Sequence, residues 1–128
     1  MAKDILAENI NKIKIYDMLK KEECVIKYSK LMLGILEQLK KYGYIEDYRY
    51  EDNNKGGIII VKLKGRINDI GVIKPRAPVK RQAWYEKEAQ YLPAYNIGHL
   101  IVSTPKGILT NIEAKSLGMG GRLLLYVY

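Results

Sequence analysis

From Gly98 to Tyr128 the chain reads GHLIVSTPKGILTNIEAKSLGMGGRLLLYVY, apolar runs divided by two small polar turns. Leu100 and Val102 alternate with His99 and Ile101, which predicts a strand. Residues 103–107, SerThrProLysGly, then form a tight turn, since Pro105 fixes its own φ and holds Thr104 extended. Held so, the Thr104 side chain is expected to point away from the turn's interior. Thr110 and Glu113 have capping-box spacing for a short helix, and Gly118 suits its C-terminal cap. A mostly apolar strand, 122–128, closes the chain. The order strand, turn, helix, turn, strand defines a small α+β unit. Each turn carries glycines and one cation, Lys106 or Arg122. Such turns are poor catalytic material but suit backbone-rich loops lying on a phosphate-lined surface.

The upstream half has the same character. Asp4 caps a first helix of about three turns with Leu6, Ile10 and Ile13 at helical spacing. Residues 24–27 form a short strand. Ser29 caps a second helix whose buried stripe is Leu31, Ile35, Leu36 and Leu39, and Gly43 ends it. Residues 44–51 and 58–63 are strands around the turn AspAsnAsnLysGlyGly, the first with several tyrosines on one face. Residues 65–71 form a junction, and the proline-bearing run from Val72 to Arg81 is extended, with four cations and no acid. Residues 82–92 form a short helix pinned by Trp84 and Tyr91 and ended by Pro93. The fold class is α+β in two small lobes. Residues 1–64 form a helix–strand–helix–hairpin lobe, and 65–128 an RNA-binding lobe of a mixed sheet with short helices.

Charge selects the partner. Lys and Arg number 22 against 14 Asp and Glu, a net +8 with a pI near 9.5. From residue 65 onward 9 basic residues face only 4 acidic ones, so the basicity owes as much to missing acids as to added cations. That sign attracts a polyanion, nucleic acid or an anionic membrane. Cys24 alone closes no intramolecular disulfide, and with the single His99 it offers no zinc spacing. No apolar run is long enough to span a bilayer, and the start lacks a secretory signal's apolar core, so a cytosolic protein is expected.

Several residues carry candidate chemistry. Ser103, Thr104, Lys106 and Gly107 can read sugar hydroxyls and base edges in a shallow RNA minor groove; alone, the segment reads first as a plain hairpin turn. Gly120, Gly121 and Arg122 form a second such turn. They follow a helix and enter a strand, the reverse of nucleotide-binding glycine loops, so no nucleotide cofactor is expected. Lys74 and Arg76 add cations from the extended run. Lys12, Lys14, Ser29 and Lys30 gather where the first helix ends and the second begins, a phosphate site or simply a solvated face with a cap. His99 and Ser103 lie about 13 Å apart along one strand, too far for a nucleophile and its base. No catalytic set, metal site or small-molecule substrate is expected.

With these residues in view, the chain resembles the universal small-subunit ribosomal protein S-eight family over nearly its whole length. The strongest part is the run from Ile101 to Tyr128. SerLysLeu at 29–31 and GlyTyrIle at 43–45 match the family's N-terminal lobe. Residues 65–76, with the following TrpTyrGluLys and TyrLeuProAla, are similar to its archaeal and eukaryotic branch. Pro105 stands where many members have a second Ser, Arg122 where bacterial members have Glu, and Ile15 where Asn is usual. The resemblance implies a structural, non-catalytic constituent of the small ribosomal subunit in the cytoplasm. It implies direct binding to the central domain of small-subunit ribosomal RNA at a helix with an irregular internal loop, support of ribosome assembly, and neighbouring ribosomal proteins. It also assigns RNA contacts to Ser103, Thr104, Lys106, Gly107, Gly120 and Gly121. The competing reading is a basic protein-interaction module using exposed tyrosines and the C-terminal strand.

Overall fold

Helix α1 (Ile5–Met18) begins where the sequence supplies an acceptor: the Asp4 carboxylate takes the Ala7 amide at 3.1 Å, meeting a donor that a helix N-terminus leaves unsatisfied. The computed structural model describes residues 4–94 and 96–128. The chain forms two compact units, Met1–Asn68 and Asp69–Tyr128.

In the first unit α1 is followed by β1 (Glu23–Lys27), α2 (Lys30–Lys41), β2 (Ile45–Glu51) and β3 (Ile58–Leu63). The sheet runs β1-β3-β2, antiparallel at both pairings. Cys24, Ile26, Ile59 and Val61 turn one sheet face into the core, which also buries Leu6, Ile10 and Ile13 of α1 and Ile35, Leu36 and Leu39 of α2. The stripe of α2 begins at Met32, fully buried, rather than at Leu31, which is half-buried. Ser29 caps α2 by accepting the Met32 amide at 3.1 Å.

Two buried polar side chains tie α1 to distant backbone. Asn9 donates to the Lys27 carbonyl at 2.9 Å and accepts from the Lys27 amide at 3.2 Å, serving β1 as a further strand would. Asp17 accepts from the Gly65 and Ile67 amides at 3.0 and 3.1 Å. Those bonds keep Gly65 and Ile67 with the first unit. The tyrosines of β2 cover this unit's edge: Tyr48 donates to Glu37 of α2 at 2.5 Å, and Tyr50 packs on Tyr28 with ring centroids 4.7 Å apart.

The second unit comprises β4 (Ile70–Val72), β5 (Pro78–Val79), α3 (Trp84–Tyr91), β6 (His99–Thr104), β7 (Gly107–Thr110), α4 (Asn111–Ser116) and β8 (Gly121–Val127). β8 pairs with β4 and β5 along one edge and with β6 along the other, and β7 lies outside β6. The sheet expected to be mixed is antiparallel at every pairing between described strands. The reason is topological. α3 leads from β5 to β6 and α4 from β7 to β8, connections that normally join parallel neighbours. In each case one antiparallel strand lies between the two, β8 in the first and β6 in the second. Ile73, Val79, Trp84, Leu100, Val102, Ala114 and Leu123 form one buried cluster. The Trp84 indole donates to the Met119 carbonyl at 2.9 Å, pinning α3 beside the glycine-rich turn.

Candidate nucleic-acid interface

Arg122 is the register point of the C-terminal candidates. Pro78 of β5 stands opposite it on one side and Ser103 of β6 on the other. Three segments therefore meet at the start of β8: the strap between β4 and β5, the β6–β7 hairpin and the glycine-rich turn. The strap is anchored by the bonds Ile73 N–H to Leu124 O and Leu123 N–H to Ala77 O, at 2.9 and 3.1 Å. Its cations Lys74 and Arg76 are exposed.

The hairpin turns through Pro105 and Lys106. Contrary to expectation, Thr104 points into the turn. Its hydroxyl accepts the Lys106 amide at 3.1 Å and donates to the Gly107 carbonyl at 2.9 Å. An extended residue before proline still leaves its side chain free to bond the backbone two residues on, as Thr and Ser do in turns. Thr104 thus spends its proton on the turn, while the hydroxyl of the half-buried Ser103 makes no hydrogen bond among the described residues. Lys106 is exposed, and Gly107 takes a φ of +114° with open space around it.

The glycine-rich turn is shaped by close approach. A Cβ on Gly120 would stand 2.1 Å from the Val79 carbonyl oxygen, and one on Gly121 would stand 2.7 Å from the Ser103 carbonyl oxygen. Only glycine admits backbone from both sides at such distances. Gly118 ends α4 with a φ of +67°, its amide reaching Lys115 O while the Met119 amide reaches Ala114 O. Arg122 lies exposed and donates to the Arg76 carbonyl at 3.2 Å. Two exposed cations that the sequence reading left out, Lys80 and Arg81, stand here too, with the Arg81 amide nitrogen 3.2 Å from the Gly120 Cβ position. Their signal was the acid-free run of four cations. No carboxylate pairs with Arg76, Lys80, Arg81, Lys106 or Arg122 among the described residues.

The N-terminal candidates are less concentrated. Lys12 and Lys14 are two residues apart on α1 and so point about 200° apart around its axis. The Lys12 ammonium folds onto the Val25 carbonyl at 2.6 Å. Ser29 uses an oxygen lone pair on Met32 N–H, and Lys30 is exposed at the first position of α2.

Elsewhere the titratable groups look structural. Burial pushes the Cys24 thiol up to about 11 and holds the half-buried His99 imidazole below its usual value, against the pull of Glu113. Among the described residues no group of three His, Cys, Asp or Glu could hold a metal ion, and no helix is long and apolar enough to cross a membrane.

A small basic α+β protein that sets exposed cations around two backbone-rich turns belongs to the structural nucleic-acid-binding class. The family model described as Ribosomal protein S8 matches residues 4–128, and the chain belongs to that family. It is 43% identical over 129 residues to the small ribosomal subunit protein uS8 of Thermoplasma acidophilum, covering 100% of both chains. With the uS8 of Pyrobaculum islandicum it shares 42% over 126 residues, 98% of this chain and 97% of the other. The family is a structural, ribosomal-RNA-binding component of the small subunit, not an enzyme.

Proposed function

We propose that this chain binds the central domain of small-subunit ribosomal RNA at a helix with an irregular internal loop, and supports assembly of the subunit there. The carrying observation is the register at Arg122, which sets Ser103 and Pro78 on either side of it and gathers hairpin, glycine turn and strap at one end of β8. In this reading Lys106, Arg122, Lys74 and Arg76 meet phosphates and release counterions. Ser103, with Gly107, Gly120 and Gly121, brings a hydroxyl and bare backbone to the minor groove, where RNA is read by shape and 2′-hydroxyls. Thr104 holds the turn in shape. Lys12, Lys14, Ser29 and Lys30 add a second, mainly electrostatic contact from the first unit.

Binding to a short RNA hairpin carrying the internal loop, against a fully paired control at two salt concentrations, tests this. The wild type should prefer the loop. Ser103→Ala should lose that preference while keeping salt-sensitive binding to both RNAs. If wild type and Ser103→Ala bind both RNAs alike, the turn is structural and the reading fails.

A further inference from the structure

Trp84 is the chain's single tryptophan, 1% exposed in the cluster that holds Ile73, Leu100 and Leu123. Packing there asks for a large apolar ring, which phenylalanine also supplies. The indole N–H is what tryptophan adds, and a buried N–H needs an acceptor. It finds the Met119 carbonyl at 2.9 Å, just before the glycine pair of the turn.

That bond lands on a turn whose first amides are already spent. The Gly118 amide donates to Lys115 O at 3.0 Å and the Met119 amide to Ala114 O at 2.9 Å. These are the two bonds of a Schellman cap. Gly120 carries the first amide beyond the cap, and among the described residues that amide makes no hydrogen bond. A backbone N–H without a protein partner is met by water or by a ligand.

The direction of this N–H follows from Trp84. A trans peptide points its C=O and the following N–H in opposite directions, and the Met119–Gly120 bond is trans. With the Met119 carbonyl drawn to the buried indole, the Gly120 N–H points away from it. Gly120 is itself held in place. Its Cβ position lies 2.1 Å from the Val79 carbonyl oxygen and 3.2 Å from the Arg81 amide nitrogen. Lys80, Arg81 and Arg122 are exposed around it. An N–H of fixed direction among exposed cations suits an oxyanion.

We propose that the Gly120 amide donates to a phosphate oxygen of the bound RNA, and that Trp84, acting through Met119, aims it. The inference rests on the RNA reading above and adds to it a backbone donor and a positioning residue. Trp84 touches no RNA; it sets the direction of a peptide that does. The cations bring charge to any RNA, whereas an aimed amide meets its phosphate only where the RNA shape fits.

The test uses the full chain and the loop-bearing RNA hairpin. In the free chain the Gly120 amide should exchange freely, and bound hairpin should slow its exchange and shift its resonance. Replacing Trp84 by benzothienylalanine keeps the ring and puts sulfur in place of the N–H. At a temperature where both proteins are folded, affinity for the loop RNA should fall about tenfold, the loss of one hydrogen bond to a charged acceptor. Affinity for the fully paired control and its salt dependence should stay as they were. An analogue that melts earlier but binds the loop RNA as the wild type does would show an indole that only packs, and would overturn the proposal. A Gly120 amide protected in the free chain, or unmoved by the hairpin, would overturn it as well and requires no variant. Those outcomes leave the wild type's preference for the loop, and with it the RNA reading, standing. A wild type with no such preference removes both.

Discussion

Gly120 lies against Val79 so closely that a Cβ on the glycine would stand 2.1 Å from the Val79 carbonyl oxygen. The contact joins the strap to the glycine-rich turn, and it sets the shape of the proposed RNA surface without supplying a side chain to it. Gly120→Ala should therefore act through structure, pushing β5 from β8 at a cost of about 3 kcal/mol, as overpacked sites do. Urea denaturation should show that loss, and loop-RNA affinity should fall with it. An alanine variant with wild-type stability would mean the strap yields freely.

Lys106 makes the opposite prediction. It is exposed and unpaired with any carboxylate among the described residues, so Lys106→Ala should leave the melting temperature unchanged. The slope of log affinity against log salt should shrink by about 1 for one lost phosphate contact. Titration of the loop RNA over a salt series reads this directly, and an unchanged slope removes Lys106 from the interface.

α1 ends in a conformation that suits glycine better than the residue it has. Lys20 takes a φ of 60°, its amide bonding Asp17 O and the Lys21 amide bonding Tyr16 O, the arrangement that Gly43 completes for α2. Lys20→Gly should relieve left-handed strain and stabilise the fold by about 1 kcal/mol, less the exposed 3.3 Å bond from Lys20 to the Gly65 carbonyl. Chemical denaturation of the two proteins measures the difference.

Cys24 gives a pH prediction. Burial raises its thiol from 9.0 to about 11, so the folded chain keeps a proton that the unfolded chain releases. The associated stability is whole below pH 9 and declines as pH rises toward 11. A disulfide reagent at pH 8 should label the native protein only through opening, and in urea at once. Cys24→Ala should flatten the start of the alkaline decline in melting temperature.

Local rules were legible and distant contacts were not. Ser29 and the Thr110–Glu113 capping box could be placed from sequence because a cap joins residues three apart. β4 could not, because three residues carry little periodicity and Ile70 pairs with Val127 across almost the whole second unit. The antiparallel sheet was hidden for the same reason, since nothing local states which strand enters between two others. In the candidate site the residue types were legible but their tasks were not. Thr104 closes its own turn, and Gly120 and Gly121 answer to Val79 and Ser103, contacts that only the folded chain displays. Lys80 and Arg81 were visible as charge, but their place beside Gly120 depends on β5 pairing with β8.

Amide hydrogen exchange of the full chain, free and bound to the loop-bearing RNA hairpin, tests the central claim most directly. Bound RNA should slow exchange at residues 103–107, 118–122 and 76–81 together. The turn at residues 52–57, exposed from Asp52 to Gly56, and the groove between α3 and α4, lined by Leu92, Ile97 and Ile112, should exchange as before. Protection confined to the groove or to residues 52–57, with the C-terminal turns unchanged, would contradict it.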